Sequence, residues 1–204
     1  AGGTGNDLAE NLGVPAGNVR ATLELASAQS ERRIDVGYVN DTAFVNSCGA
    51  GFDVAVVQAL GNSGSSLGRS AYLLTAARKL WRCPAIRSSL DASGPMLDYL
   101  VIVVGNGARF GGGMLLAPRA TNDDGVLDLI AVRDMPALAR VRTLLAASRG
   151  RHLGMQGVEH RAGASFELRF ETPPLFEADG EIFQSATDTL RIRCERRRLR
   201  IAVA

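Results

Sequence analysis

The spacing of apolar positions changes near residue 31 and divides the chain into two parts. Before that point, apolar residues recur at helical spacing behind capping residues, which predicts two short helices, one beginning at Asn6-Asp7 and one at Asn18. From residue 31 onward, short runs with a period near two alternate with glycine, aspartate and asparagine turns. We therefore predict an α+β fold, mostly β, with an antiparallel β-sandwich over residues 31–204.

The second part is predicted to hold a few helices among many strands. A hairpin is predicted from Ile34–Val39 and Thr42–Cys48 around the turn at Asn40-Asp41. Further strands are predicted at Ile86–Leu90, Leu97–Val104, Leu127–Val132, Phe166–Phe170 and Thr189–Arg193, and helices at Phe52–Leu60, Ser70–Trp81 and Pro136–Ser148.

A glycine-rich segment, Gly105 to Asp128, follows the most apolar of these strands. Its glycines loosen the backbone where a bulge or a close approach to another group is needed. The tight turn at Asn122 to Gly125 carries two carboxylates, and Asp179-Gly180-Glu181 is a second acidic turn. We expect the fold to bring both acidic turns to one side of the β-rich body.

Each acidic turn has two interpretations. Asp123-Asp124-Gly125 is either an ordinary turn or a Mg²⁺ site in which a carboxylate combines with backbone carbonyls. Asp179-Gly180-Glu181 is likewise a turn by default. Because Phe176 and Phe183 flank it, burial could raise the pKa of one carboxylate and make it a general base.

Composition narrows the function classes. The 204 residues are 46% apolar and 22% charged, with a net charge of +2 that gives no support for nucleic-acid binding. No apolar run approaches the ~20 residues of a membrane span. The two histidines and three cysteines lack metal-site spacing, so reduced, buried thiols in a cytoplasmic protein are expected. No G-x-S-x-G motif supports a serine hydrolase.

Two basic stretches have alternative uses. The cluster Arg191 to Arg200 suits either anionic lipid headgroups or protection of an edge strand. The predicted helix Ser70–Trp81, with its basic flanks, suits a membrane surface, an apolar substrate groove or plain packing on a sheet, which is the commonest use of such a helix.

Five segments, taken in order, resemble the motifs of the bacterial diacylglycerol-kinase-like lipid kinases, relatives of the sphingosine kinases. They are GTGNDLAENLGVP, IDVGYVN, FVNSCGAGFD, GNGARFGGGMLLAPRATNDDGVLDL and ADGE. The resemblance runs through essentially the whole chain. It implies that residues 1–30 are the end of an ATP-binding α/β domain. It also implies that residues 31–204 are the C-terminal β-sandwich, whose last strand, near Leu199 to Val203, could return to the first domain.

The resemblance also implies roles for particular residues. Thr4, with Asn6 and Asp7 beside it, matches the nucleotide-contacting GTGND segment. Asp124 matches the aspartate of the Mg²⁺ site, where backbone carbonyls are expected from Thr121 and Val126. Asp179 and Glu181 match the acidic motif that supplies the general base and, through Glu181, a contact near ATP; which of the two takes the proton is left open.

The implied activity is transfer of the γ-phosphate of ATP to a primary hydroxyl of diacylglycerol or a similar lipid, with Mg²⁺ as cofactor. Because the family's GGDGT-type loop does not occur in these residues, we expect the chain by itself to be inactive. The alternatives are a non-catalytic lipid-binding or regulatory sandwich, and a kinase acting on an isoprenoid, sphingoid or glycolipid acceptor. The enzyme is expected to be cytoplasmic and to meet its lipid at the inner membrane face; a homodimer is left open.

Overall fold

The computed structural model describes residues 6–14, 19–27, 30–61 and 79–202. Two short helices come first, α1 (Asp7–Asn11) and α2 (Val19–Ser27). The strands are β1 (Glu31–Val39), β2 (Thr42–Phe44), β3 (Ser47–Gly51), β4 (Ile86–Ser89), β5 (Leu97–Gly105), β6 (Leu127–Arg133), β7 (Val158–Gly163), β8 (Ser165–Phe170), β9 (Leu175–Ala178), β10 (Glu181–Gln184) and β11 (Thr189–Ala202). Two longer helices interrupt them, α3 (Phe52–Gly61) and α4 (Ala137–Ala147).

Strand β5 is the branch point of one antiparallel sheet. Along one edge it pairs with β3 through residues 101–105 and with β4 through residues 97–99, and along the other edge it pairs with β6 through residue 99 and residues 101–105. One arm continues from β3 to β9 and β10, and the other runs from β4 through β8, β11 and β1 to β2. The sheet is therefore curled into a half-barrel, which confirms the predicted mostly-β, sandwich-like fold.

The curled sheet encloses the main apolar core. Strand alternation directs Phe44, Ile102, Leu129, Phe176 and Ile192 into this core from five strands, and each of them is almost fully buried. A second cluster lies outside the sheet, where α3 and α4 pack over Leu100 and Leu80. Such packing of helices on a sheet face buries apolar area that would otherwise destabilise the fold by roughly 25 cal/mol per Å².

Most predicted elements lie where the apolar pattern put them, but the second strand of the first hairpin differs. The segment Thr42–Cys48 is broken at Val45-Asn46, so that β2 pairs with β1 while β3 pairs with β5 and β9. The physical reason is that the N–H groups of Val45 and Asn46 bind a side chain from a distant turn instead of a neighbouring strand.

Two other predicted elements need separate comment. Residues 62–78 lie outside the described part of the chain, so the predicted helix Ser70–Trp81 is seen only at its end. Leu199 to Ala202 continue β11 and pair with the first residues of β1. Whether they belong to a first domain stays a prediction. No helix of the described residues is long and apolar enough to cross a membrane.

Candidate functional site

The turn between β9 and β10 consists of Asp179 and Gly180. Both residues have positive φ angles, 49° and 87°, which is the combination that a two-residue type I′ hairpin requires. Asp and Gly tolerate this left-handed conformation better than most residues, so the local sequence explains the turn. The flanking pair Ala178 and Glu181 closes the hairpin.

The carboxylate of Asp179 binds the backbone at the break between β2 and β3. Its Oδ2 accepts the N–H of Val45 at 2.7 Å, and its Oδ1 accepts those of Asn46 at 2.8 Å and Ser47 at 3.0 Å. The N–H of Asp179 in turn donates to the carbonyl of Ser47 at 2.9 Å. A charged acceptor for three N–H groups ties the acidic turn firmly to this break.

A buried pair of carboxyl groups, Asp53 and Glu177, lies beside the turn. Glu177 is on β9 and only 3% exposed, and its Oε2 accepts the N–H of Gly180 at 2.9 Å. Asp53 is half-buried in the first turn of α3 and lies over Gly49, where an added Cβ would come within 2.6 Å of its Oδ2. Because Gly49 is the β3 partner of Glu177, the missing side chain makes room for the pair.

Burial raises the pKa of both carboxyl groups. Burial raises the pKa of Glu177 to about 10, and the charge of Asp53 and a hydrogen bond between the two carboxyls add to the shift. Burial also raises the pKa of Asp53, while the hydrogen bond from Glu177 opposes that rise. We therefore expect Glu177 to hold a proton at neutral pH and Asp53 to be the charged partner. The buried Oε1 of Glu177 has no hydrogen-bond partner among the described residues.

Of the segments that resemble the lipid kinases, one ends at Asp53 and another begins directly after Glu177, but neither residue was assigned a role. Asp53 follows a glycine-containing strand at a helix start, where a carboxylate is ordinary. Glu177 interrupts the apolar alternation of β9 and points away from the core. A charged residue flanked on both sides by buried apolar residues was the available signal.

Glu181, the second acid of this motif, has a different environment. It is exposed at the start of β10, opposite Ala178. The carboxylate of Asp179 accepts hydrogen bonds from the backbone of residues 45–47, whereas that of Glu181 faces solvent, although the two residues flank one glycine. The catalytic roles of Asp179 and Glu181 stay predictions.

The other acidic turn brings the three predicted metal-site residues together. Oδ2 of Asp124 accepts the Thr121 hydroxyl at 2.7 Å, and its Oδ1 accepts the Val126 N–H at 2.9 Å. The neighbouring Asp123 forms an ion pair with Arg32 at 3.0 Å. The described residues contain no group of three or more histidine, cysteine, aspartate or glutamate side chains that could hold a metal. Mg²⁺ binding by Asp124, Thr121 and Val126 stays a prediction.

A buried asparagine connects the two acidic turns. The Nδ2 of Asn106 donates to the carbonyls of Asp35 and Val45, each at 2.9 Å. Val45 belongs to the segment that binds Asp179. The fully buried Asp35 accepts the Gly125 N–H at 2.6 Å through its carboxylate. A continuous series of hydrogen bonds through Asn106 therefore links the two acidic turns.

Helix α1 is attached to the glycine-rich segment. The carboxylate of Asp7 accepts the N–H groups of Gly112 at 3.0 Å and Gly113 at 2.5 Å, both of which have positive φ angles. Burial raises the pKa of Asp7, and these hydrogen bonds partly offset the rise. The Asn11 side chain exchanges two hydrogen bonds with the backbone of Arg109. The oxygens of Asp7 therefore face the glycine segment.

The remaining predicted nucleotide contacts are less defined. Asn6 precedes α1 in a left-handed conformation, and Thr4 lies outside the described residues. Nucleotide binding by Thr4, Asn6, Asp7 and Glu181 stays a prediction. The segment Met114 to Leu116 begins with a buried methionine and ends with Leu116, which packs against the apolar cluster that includes Ile130 and Val132.

Comparison with known proteins agrees with this architecture. The model of the YegS C-terminal NAD kinase beta sandwich-like domain matches residues 46–203. The chain belongs to this family, and the resemblance to lipid kinases is confirmed at the level of the family. The matched range begins at the break between β2 and β3 and includes both acidic turns.

Similar proteins carry the name of a lipid kinase. A protein named "Probable lipid kinase YegS-like" from Chromohalobacter salexigens is 33% identical over 150 residues, which are 70% of this chain and 47% of that protein. One of the same name from Pseudomonas fluorescens is 31% identical over 204 residues, 98% of this chain and 66% of that protein. The chain spans about half the length of several of the curated relatives it matches.

A crystal structure of a diacylglycerol kinase from Bacillus anthracis has the same fold. It superimposes with a TM-score of 0.68 at 19% identity, over 100% of this chain and 65% of that one. At this identity the likeness concerns the fold.

Proposed function

We propose that this chain is the acceptor-side domain of an ATP-dependent lipid kinase that phosphorylates a primary hydroxyl of diacylglycerol or a closely similar lipid. The observation that carries the proposal is the cluster of four acids at one end of the curled sheet: Asp53, Glu177, Asp179 and Glu181. Three of them are held in place by backbone N–H groups or by one another. A phosphoryl-transfer site needs such positioned acceptors for the proton of the attacking hydroxyl.

In the proposed reaction the hydroxyl oxygen of the lipid forms a bond to the γ-phosphorus of ATP. The bond between that phosphorus and the β–γ bridging oxygen breaks, and ADP leaves with its electron pair. The hydroxyl proton passes to a carboxylate of the acidic cluster. Asp179 and Glu181 are the proposed pair for this step, one accepting the proton and the other orienting the hydroxyl or contacting the nucleotide.

The hydrogen bonds of Asp179 favour an orienting role for this residue. Three backbone N–H groups already donate to its oxygens. Glu181 is exposed, and no backbone N–H group of the described residues donates to its carboxylate. The Asp53–Glu177 pair would support the site by maintaining one negative charge and one proton beside the turn. Removing one acid should therefore affect turnover differently from removing another.

Mg²⁺ and ATP are the proposed cofactors. The chemistry of the donor set fits a hard cation, because Asp124 offers a carboxylate and Thr121 and Val126 offer carbonyl oxygens. Bound there, Mg²⁺ would supply a positive charge that stabilises the turn next to the site. Asp7 would act on the nucleotide side by holding Gly112 and Gly113 in their left-handed conformations, with Thr4, Asn6 and Glu181 as further contacts.

A cleft along α3 is the proposed place for the lipid acceptor. It has a volume of about 760 Å³ and is lined by Val54, Ala55 and Leu175 among others. Val54 follows Asp53 directly, so an acyl chain in this cleft would place a lipid headgroup near the acidic cluster. The reaction would take place at the inner face of the cytoplasmic membrane.

The test is transfer of radiolabel from γ-labelled ATP to a panel of lipids by the full-length protein in Mg²⁺. Diacylglycerol should be the preferred acceptor over an isoprenol, a sphingoid base and a glycolipid of matched chain length. Preference for another member of the panel would show that the proposed acceptor is wrong and that the proposed kinase activity is right. Lipid binding without transfer to any acceptor would favour the regulatory module instead.

A further inference from the structure

The outward side of α4 carries two leucines and two arginines in one row. Leu138, Arg142, Leu145 and Arg149 are separated by four, three and four residues, which puts them on one side of a helix and its last turn. Leu138 is 80% exposed and Leu145 52% exposed, and both arginines are exposed. The opposite side of α4 is already used, because Thr143 and Ala147 are buried against the fold.

Trp81 is a further exposed apolar side chain, on the segment that packs beside α4. Arg140 of α4 donates to the carbonyls of Leu80 at 2.8 Å and Cys83 at 2.9 Å, so the segment containing Trp81 is bound to the helix. Trp81 itself is 63% exposed and is the single tryptophan of the chain. We call Trp81, Leu138, Arg142, Leu145 and Arg149 the outer α4 face.

The charge of this region is mainly positive. Residues 79–85 and 136–157 contain six lysines and arginines and no aspartate or glutamate. Arg140 pairs with Asp134, but Lys79, Arg82, Arg142, Arg149 and Arg151 form no ion pair with any carboxylate of the described residues. Large exposed apolar side chains among unpaired cations suit a partner that is apolar inside and anionic at its surface.

A cleft continues the face on its other flank. It has a volume of about 600 Å³ and is lined by Met135, Ala139, Arg142 and Met155, with Arg133 and Asp134 at one side. The carboxylate of Asp134 is paired with Arg140. Arg142 thus belongs both to the row and to the cleft. Flexible methionine side chains beside an arginine can accommodate an acyl chain or the glycerol portion of an anionic lipid.

We propose that the outer α4 face docks the protein on an anionic lipid bilayer. Trp81, Leu138 and Leu145 enter the interface, where aromatic and aliphatic side chains gain apolar contact. Arg142 and Arg149 bind lipid phosphates, aided by Lys79 and Arg82. The proposal rests on the proposed function, since a lipid kinase must reach an acceptor that resides in a bilayer, and it identifies the surface that does so.

The test compares two pairs of variants on vesicles of phosphatidylcholine with and without phosphatidylglycerol. Arg142→Gln with Arg149→Gln should weaken binding to the anionic vesicles by at least ~10-fold, because each cation near an anionic surface contributes about fivefold. Leu138→Ser with Leu145→Ser should weaken it comparably. Arg191→Gln with Arg198→Gln is the matched control, because those arginines are already paired with Glu167 and Glu195, and binding should be unchanged.

Two further measurements separate the alternatives. Emission of Trp81 should shift to the blue on anionic vesicles and be quenched by brominated acyl chains. The α4 variants should keep normal phosphoryl transfer to a short-chain acceptor in neutral detergent while losing it on vesicles. If the wild type binds vesicles but transfers no phosphate, the proposed function fails and the docking surface stands.

Other outcomes would overturn the docking surface. If both α4 variants bind anionic vesicles as tightly as the wild type, the docking proposal is wrong, even if the variants keep full kinase activity in detergent. Light scattering provides the remaining check. A wild-type dimer that dissociates in the α4 variants, with vesicle binding unchanged, would identify the face as a contact between two copies of the chain.

Discussion

At the first acidic turn, the Asp124 carboxylate binds Thr121 and Val126, three and two residues away along the chain. At the second, the Asp179 carboxylate binds N–H groups that are 132 to 134 residues away. Both turns contain an aspartate next to glycine, so their local sequences are nearly alike. The difference shows that a turn acid can close its own loop or join two distant parts of a fold, and that the two uses have different consequences.

The comparison has its largest expected consequence in catalysis. In the full-length protein, Asp179→Asn and Glu181→Gln preserve side-chain shape and remove a carboxylate, so at least one of them should lower kcat by ~10² or more. Steady-state kinetics with diacylglycerol micelles measures this.

Asp188→Asn, a change at another exposed loop acid, is the control and should keep normal turnover. Near-normal kcat in both site variants, with the fold intact by circular dichroism, would show that the second turn is as structural as the first and that the proposed mechanism is wrong.

The second consequence concerns pH. The folded pKa of Glu177 is raised to about 10 from an ordinary value of 4.5, so the folded state keeps a proton that the unfolded state releases. Stability of the wild type should therefore fall as pH rises from about 4.5 towards 10, by up to about 1.4 kcal/mol per pH unit. Glu177→Gln retains the shape and the hydrogen-bonding atoms of the side chain but has no group that titrates in this range.

Urea unfolding at several pH values between 5 and 9 measures the difference between wild type and Glu177→Gln. The advantage of the variant should grow with pH. Parallel stability curves for the two proteins would show that Glu177 and Asp53 do not share a proton in the folded state.

The third consequence is for stability at a single pH. Asp179→Ala leaves three backbone N–H groups without their charged acceptor and should lower the free energy of unfolding by about 2 kcal/mol. Asp179→Asn should recover part of this loss, since asparagine retains one acceptor oxygen and tolerates the left-handed turn. Chemical denaturation of the wild type, Asp179→Asn and Asp179→Ala gives the order of their free energies of unfolding. A larger loss for Asp124→Ala than for Asp179→Ala would reverse the comparison.

The smallest effect is expected at the first turn. Asp124→Ala breaks two local hydrogen bonds and should lower stability by about 1 kcal/mol when Mg²⁺ is present. If Mg²⁺ binds there, the loss should shrink in EDTA, because the metal-free wild type has already lost that stabilisation. Thermal unfolding with and without Mg²⁺ distinguishes the cases, and an equal loss in both would make this an ordinary turn.

A comparison of two basic regions, β11 and α4, illustrates how far the sequence could predict a surface. Arg191 to Arg200 was the evident cluster, yet β11 pairs Arg191 with Glu167 and Arg200 with Glu31, which neutralises much of it. The cations of α4 are spread thinly along the sequence and gave no signal as a charge cluster. Helical spacing aligns them in one row, and the absence of acids over residues 136–157 leaves that row unpaired.

The acidic cluster shows the same contrast between residues that the sequence identified and residues that only the fold brought together. Asp179 and Glu181 were recognisable because Asp-Gly-Glu between two phenylalanine-bearing strands is a turn with carboxylates on it. Asp53 and Glu177 were overlooked because 124 positions separate them in the chain, and the one local signal, a charged residue between the apolar residues of β9, does not identify its partner. Their perturbed pKa values arise from burial and from each other, which are properties of the folded chain.

Local pattern alone was sufficient for the mostly-β class, the positions of most strands, α3 and α4, and the type of turn at Asp179-Gly180. These depend on side-chain periodicity and on backbone conformations that particular residues favour within a few positions. Tertiary structure decided the branching at β5, the break at Val45-Asn46 and the pairing of Asp53 with Glu177. Those features depend on hydrogen bonds and desolvation between segments far apart in sequence, whose free energies exist only once the sheet has curled and brought the segments together.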